Sequence, residues 1–265
     1  MYLSSFSRWM LRLFTAAVLV VLYAPILYVA RLSVNTAKNY AWPPEGFTLE
    51  WWQKAIHEDG PRTALVHSVQ TGLVATAIAL VLGTLAAFAL TRTRFFGRNT
   101  LSLFIVLPIA LPGIVTGIAL LSGFQRVGIE VSFTTLVIAH ATFCVVIVYN
   151  NAAARLRRLA PTVREASADL GADGWQTFRL ITFPLMRTAL VAGGLLAFAL
   201  SFDEIIVTTF TAGVGYKTLP LWFADNFSRP NAIPTVNVVA TFVVLASIIP
   251  VWIAQRLTDT TGTSR

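Results

Sequence analysis

Two adjacent carboxylates, Asp203 and Glu204, stand in the apolar stretch Leu200-Ser-Phe-Asp-Glu-Ile205, where charge is least expected. A charged side chain deep in a bilayer costs at least about 2.5 kcal/mol on insertion scales, so such a group faces a polar cavity or an opposite charge. At helical spacing Ser201, Glu204, Thr208 and Thr211 form one polar stripe, with Asp203 pointing roughly 100° away. Two readings follow. The stripe lines a route for a polar solute, or its members satisfy neighbouring helices and an arginine of another chain. No Lys or Arg falls within a predicted span of this chain, so a cationic solute is a natural complement. Catalysis by the pair is a poor reading, because adjacent helical residues diverge and do not converge on one atom.

Other chemistry is sparse. His57, His67 and His140 are the only histidines, and Cys144 is the only cysteine. His140 and Cys144 are four apart and share a helix face, but two ligands do not make a metal site, so both are expected to be packed or hydrogen-bonded. Neither His-Glu-x-x-His nor Gly-x-Ser-x-Gly occurs, which removes the usual zinc hydrolase and nucleophile-elbow chemistries. The nearest approach to a phosphate-cradling loop is Thr211-Ala-Gly-Val-Gly-Tyr-Lys217-Thr, and it fails because Thr211 and Tyr216 occupy the glycine positions. No catalytic, cofactor or metal site is therefore read from the chain.

The elements that must position these groups follow from composition. Of 265 residues, 56% are hydrophobic and only 12% charged, with a mean hydropathy of +0.70. Soluble domains carry roughly a quarter charged residues. This chain therefore belongs in lipid. A bilayer core about 30 Å thick needs roughly 20 apolar residues, and six runs qualify: about 13–30, 64–90, 101–124, 133–149, 188–212 and 235–254. The first is a retained anchor and not a signal peptide, whose apolar core is shorter. In the third, Pro108 and Pro112 remove two amide donors and must bend or break the helix.

Six spans put both termini on one side. The segments there (1–12, 91–100, 150–187, 255–265) hold thirteen Arg, whereas the opposite segments (31–63, 125–132, 213–234) hold seven basic residues against six acidic. The positive-inside bias then places both termini in the cytoplasm, and it accounts for the net charge of +8 without any nucleic-acid partner. Trp9, Trp42, Trp51, Trp52, Trp222 and Trp252 fall near span ends or on outer loops, as interfacial rings do. Trp175 alone lies in the long segment between the fourth and fifth spans.

That segment is patterned for structure. Thr162 with Glu165 reads as a capping box, Val163, Ala166 and Leu170 share a face, and Gly171 supplies a left-handed stop. Asp173 with Gln176 reads as a second box, opening a short helix that carries Trp175, Phe178 and Ile181 and stops before Pro184. Such a pair of capped helices is either an interfacial element lying on the membrane or a docking knob for a soluble partner.

The spacing Glu165-Ala-Ser-x-x-x-Gly171, followed by Ile181-x-Phe-Pro184, resembles the EAA loop of ABC importer permeases. Two residues depart from the usual pattern: Ser167 stands where family members carry Ala, and Phe183 where they carry Leu. The resemblance extends through Trp42-Pro-Pro-Glu-Gly-Phe-Thr-Leu, Leu82-Gly-Thr-Leu-Ala-Ala-Phe-Ala-Leu, Leu107-Pro-Ile-Ala-Leu-Pro-Gly-Ile-Val, Leu200-Ser-Phe-Asp-Glu-Ile and Thr218-Leu-Pro-Leu. Together these are similar to the second permease of the putrescine/spermidine branch, with permeases for iron, opines and phosphonates built on related chains.

The resemblance implies an all-α polytopic membrane protein of the type I, MetI-like fold, comprising one transmembrane domain over 1–265 with a cytoplasmic coupling-helix pair in the loop 150–187. It implies that Glu165, Ala166, Asp169, Gly171, Ala172, Ile181 and Pro184 couple the chain to an ATPase. Ser201, Asp203, Glu204 and Thr208 would belong to the substrate pathway. It also implies partners: a dimer of ABC ATP-binding subunits, a second permease subunit and an extracytoplasmic solute-binding protein, all at the bacterial inner membrane. The runners-up are an autonomous channel, which leaves the capped helix pair unexplained, and a membrane enzyme.

Overall fold

A computed structural model of the chain describes residues 4–38, 43 and 45–259. Trp42 and the last residues of the 255–265 segment lie outside the described residues. Among the described residues the structure is helical, with a single isolated bridge between Asn35 and Phe47. In chain order the helices are α1 (Ser5–Leu32), α2 (Glu50–His57), α3 (Asp59–Arg92), α4 (Arg98–Ala110), α5 (Gly113–Arg126), α6 (Phe133–Arg158), α7 (Pro161–Asp169), α8 (Gly174–Thr177), α9 (Phe183–Asp203), α10 (Ile206–Thr211), α11 (Leu219–Asn226) and α12 (Ile233–Asp259).

The predicted spans map onto this list with two revisions. Four runs coincide with α1, α3, α6 and α12, each long and apolar enough to cross a membrane. The third run breaks after Ala110, and α4 and α5 are bent by 109° across Leu111 and Pro112. Pro112 lacks an amide donor and holds Leu111 in extended backbone, with ψ 145°, so the expected break falls at the second proline. Pro108 is carried inside α4. The fifth run was expected to be one helix over 188–212, and it is not: α9 ends at Asp203 and α10 begins at Ile206.

The chain divides into two compact units. The larger, residues 63–222 with 253–265, is organised around α6, whose inner face buries Leu136, Phe143, Cys144, Val148, Tyr149 and Leu156. Against it α3 presents Ala75, Ala79, Gly83 and Ala87, one small residue every four positions. Small side chains let backbones approach closely where lipid gives no hydrophobic drive to helix pairing. The approach is tight enough that a Cβ on Gly83 would sit 2.9 Å from the Val145 carbonyl oxygen and 2.9 Å from Val148 Cβ. α9 closes the other side through Ala197 and Met186, and Cys144 Sγ–H donates to the Ala197 carbonyl at 3.3 Å.

The smaller unit, residues 1–62 with 223–252, contains α1, α2 and most of α12. Trp51 is buried and its indole N–H donates to the Asn35 carbonyl at 2.8 Å, so it anchors the turn after α1. In the larger unit Trp222 is likewise buried. Both depart from the expectation of interfacial rings, since packing claims their indoles and, for Trp51, a hydrogen bond as well. Trp9 and Trp252 remain exposed, as interfacial residues require.

Candidate functional site

Two constructions in the larger unit hold the predicted site residues, and one helix joins them. The first is the hairpin over 160–183. α7 begins earlier than the predicted Thr162 cap: Ala160 is the N-cap, without a side-chain bond, and Pro161 opens the helix. Proline at this position has the right φ and no donor to leave unpaired, so it displaces the Thr162–Glu165 box. The end of α7 follows expectation closely. Gly171 adopts φ +80°, Ala172 N–H donates to the Ser167 carbonyl at 3.1 Å, and Gly171 N–H donates to the Ala168 carbonyl at 2.9 Å. These are the paired bonds of a Schellman stop, in which a left-handed residue lets two orphan carbonyls be satisfied.

The second predicted box is present. Gln176 N–H donates to Asp173 Oδ1 at 2.8 Å, and Asp173 N–H donates to Gln176 Oε1 at 2.9 Å. What it opens does not stop before Pro184. α8 runs into a π-helical turn, Phe178–Thr182, and then directly into α9, with Pro184 in the first turn of α9. A proline inside an α-helix clashes with the carbonyl four residues back. In the wide turn Phe183 N–H bonds five residues back, to Phe178, which gives Pro184 room without ending the helix. The run Gly174–Asp203 is therefore one helix of 30 residues, from the hairpin to the break in the fifth span.

Contacts between side chains far apart in the chain, as well as within the loop, fix the hairpin to this helix. Ser167 on α7 and Thr177 on α8 are both buried and share a hydroxyl–hydroxyl hydrogen bond of 2.8 Å. Phe178 sits edge-on to Phe88 of α3, with centroids 5.6 Å apart, and packs on Trp175 and Phe183. The Nε–H of Arg155, at the end of α6, donates to the Leu185 carbonyl at 2.8 Å. Between these parts lies a cleft of about 540 Å³, lined by Phe88, Arg92, Val163, Glu165, Ala172 and Ile181 among others. Of the predicted coupling residues, Glu165, Ala172 and Ile181 thus meet at one cleft. Ala166 and Asp169 are exposed on α7, Gly171 makes the turn, and Pro184 lies beyond the wide turn. Two large apolar side chains stand out among charged neighbours on the outer surface: Leu170 is 88% exposed and Trp175 66%.

The second construction is the break at Asp203 and Glu204. Ser201 is the last turn of α9 and is buried, whereas Asp203 is exposed. Glu204 is half-buried and extended, with ψ 121°, and its Oε1 accepts the Val207 amide at 2.8 Å. It therefore caps α10. Broken backbone at bilayer depth must have its polar groups satisfied within the protein, and two threonine hydroxyls contribute. Thr208 Oγ1–H donates to the Glu204 carbonyl at 2.8 Å, and Thr211 Oγ1–H to the Val207 carbonyl at 2.8 Å.

The continuous stripe is thereby replaced by two groups. Ser201 and Thr208 face α6, where His140 Nδ1 lies 2.7 Å from Ser201 Oγ and His140 Nε2 lies 2.9 Å from Thr208 Oγ1. Thr135 Oγ1–H donates to the Thr211 carbonyl at 3.0 Å. His140 and Cys144 are fully buried and hydrogen-bonded, as expected of packed residues. Of the predicted pathway residues, Asp203 is exposed and Glu204 half-buried, whereas Ser201 and Thr208 are buried. An acceptor three residues before an apolar turn is a capping signal, and Glu204 with Val207 carried it unread beneath a helical pattern.

Residues 79–260 match the family described as binding-protein-dependent transport system inner membrane component. The spermidine/putrescine transport system permease protein PotC of Haemophilus influenzae is 34% identical over 253 residues, covering 95% of this chain and 98% of that protein. The putrescine transport system permease protein PotI of Escherichia coli K12 is 33% identical over 244 residues, covering 89% of this chain and 86% of the relative. A crystal structure of a bacterial ABC transporter involved in the import of the acidic polysaccharide alginate superposes with a TM-score of 0.71 at 16% identity, over 98% of this chain and 99% of that one. At that identity the likeness concerns the fold.

Proposed function

Because the chain belongs to the binding-protein-dependent transport inner membrane family, we propose that it is a permease subunit of an ATP-driven importer for putrescine or spermidine, with energy supplied by a separate ATPase chain. The observation that carries the mechanism is the single helix from Gly174 to Asp203. It joins the exposed hairpin to the carboxylate-bearing break, so a force on one is felt at the other.

In this reading both termini and the hairpin are cytoplasmic, in keeping with the thirteen arginines on that side. α7 and α8 seat in a groove of one subunit of an ATPase dimer. Leu170 and Trp175 supply the apolar contact, Glu165, Ala166 and Asp169 the polar rim, and Gly171, Ala172, Ile181 and Pro184 the shape. A second permease subunit completes the passage, and an extracytoplasmic solute-binding protein delivers the substrate. Asp203 and Glu204 meet the ammonium groups, while Ser201 and Thr208 hold the break in shape. Asp203 suits a cation for a further reason. It ends α9, where the unpaired carbonyls already make the helix terminus negative, so an arriving cation relieves a like-charge strain.

The test is a substrate-stimulated ATPase assay on the complete complex in proteoliposomes, loaded with its binding protein. Stimulation and uptake are expected with putrescine or spermidine and not with neutral or anionic solutes. Uptake without the ATPase chain would turn the reading toward a channel, and stimulation by an anion alone would overturn the polyamine assignment.

A further inference from the structure

His140 is wholly buried in α6, far from the hairpin, and touches both halves of the broken fifth span. Its partners fix its proton. A threonine hydroxyl has one hydrogen to give, and that of Thr208 goes to the Glu204 carbonyl. For both contacts of Thr208 to be hydrogen bonds, it must accept from His140, and the ring nitrogen facing it, Nε2, must carry hydrogen. The other ring nitrogen, Nδ1, faces the Ser201 hydroxyl, which has a hydrogen to give. Nδ1 is accordingly the acceptor and Ser201 Oγ–H the donor.

The result is a one-way chain of hydrogen bonds. It runs from Ser201 at the end of α9, through His140, to Thr208 on α10, and back to the Glu204 backbone at the break. Glu204 is held twice in this way, by Thr208 at its carbonyl and by Val207 N–H at its carboxylate. Covalent continuity alone would leave the two half-helices free to turn about residues 204 and 205.

We infer that His140, accepting at Nδ1 and donating from Nε2, is a positioning residue for solute transport: it pins α9 to α10 and so sets where the Asp203 and Glu204 carboxylates stand in the passage. This rests on the proposed pathway role of those carboxylates. His140 need not touch the solute.

The test uses the complete complex in proteoliposomes with radiolabelled putrescine and spermidine, comparing His140→Leu, His140→Gln, His140→Asn, Asp203→Asn and Glu204→Gln. The Gln amide can reproduce the Nε2–H donor to Thr208, and the Asn amide can reproduce only the Nδ1 side. Expected for His140→Leu is an apparent KM raised about tenfold or more, with His140→Gln within about threefold of the parent and His140→Asn resembling Leu. Nitrogen-15 NMR of histidine-labelled complex, with the His140 resonances assigned by their loss in His140→Gln, should show a neutral ring protonated at Nε2. A ring protonated at Nδ1 or doubly protonated overturns the inference, as does an unchanged KM in His140→Leu while Asp203→Asn or Glu204→Gln impairs uptake. If His140→Leu does not assemble, equal KM values in His140→Gln and His140→Asn overturn it instead. Unimpaired uptake in both carboxylate variants removes the pathway role itself and, with it, what His140 is held to position; the NMR result still reports the hydrogen-bond chain separately.

Discussion

Replacing Ser167 by alanine restores the residue usual in such loops, yet in this chain it should weaken the hairpin. Its hydroxyl bonds Thr177 Oγ1 at 2.8 Å, and both residues are more than nine-tenths buried. Removing one partner leaves the other without a bond in a place water cannot reach, which costs about 1–3 kcal/mol. Thr177→Val, which keeps the side-chain shape, strands Ser167 in the same way. The double variant Ser167→Ala with Thr177→Val strands nothing and should lie within about 1 kcal/mol of the parent, so the cycle should show a favourable coupling of at least about 1 kcal/mol. The assay is amide hydrogen exchange over residues 163–177 in the purified complex, where each 1.4 kcal/mol appears as about a tenfold faster exchange. ATP-driven uptake should fall and recover in the same order. If the double variant exchanges as fast as the sum of the single effects implies, the two hydroxyls do not act as a pair and the account of the hairpin's rigidity fails.

Other perturbations separate the roles of the remaining parts. Gly171→Ala forces an L side chain to φ +80° and should loosen the hairpin by about 1–2 kcal/mol, read by the same exchange measurement. Gly171→Pro, whose ring demands φ near −65°, should abolish ATP-driven uptake, and retained uptake would contradict the docking role. Glu204→Gln keeps an Oε1 acceptor for the Val207 amide but removes the charge, so the complex should assemble while uptake of a di- or trivalent amine falls; normal uptake would remove Glu204 from the passage. Gly83→Ala places a Cβ 2.9 Å from a backbone oxygen of α6 and should destabilise the permease by about 1–3 kcal/mol in a detergent melt. An unchanged melting temperature would show that α3 and α6 can part at no cost.

What could be read from the sequence was whatever rested on neighbours close in the chain. Four of the six apolar runs, the left-handed Gly171 and the Asp173–Gln176 box each depend on residues close in the chain and coincide with what the structure shows. The failures were also local, but decided by competition. Pro161 outbid Thr162 for the start of α7 because a ring that fixes φ needs no hydroxyl. Pro184 looked like a stop, and a single wide turn made it an internal residue. Glu204 fitted a helical stripe and a cap equally well by spacing, and its carboxylate accepts the Val207 amide. Long-range partners were beyond reach. Neither the meeting of His140 with Ser201, 61 positions away, nor the wall that Phe88 lends to the hairpin cleft leaves a mark in the local pattern. The stripe Ala75, Ala79, Gly83, Ala87 is visible in the sequence and announces a close helix neighbour, without saying which.

The unbroken run from Gly174 to Asp203 has a simple geometric consequence. Its 30 residues make a rod about 45 Å long at 1.5 Å per residue. Tilted by about 5° around its midpoint, such a rod swings its two tips about 2 Å in opposite directions. Atoms in van der Waals contact sit about 4 Å apart and lose most of their attraction over a fraction of that swing. A few degrees of seesaw at Trp175 would therefore be enough to make or break a contact at Asp203, with no turn unwound and no backbone bond given up.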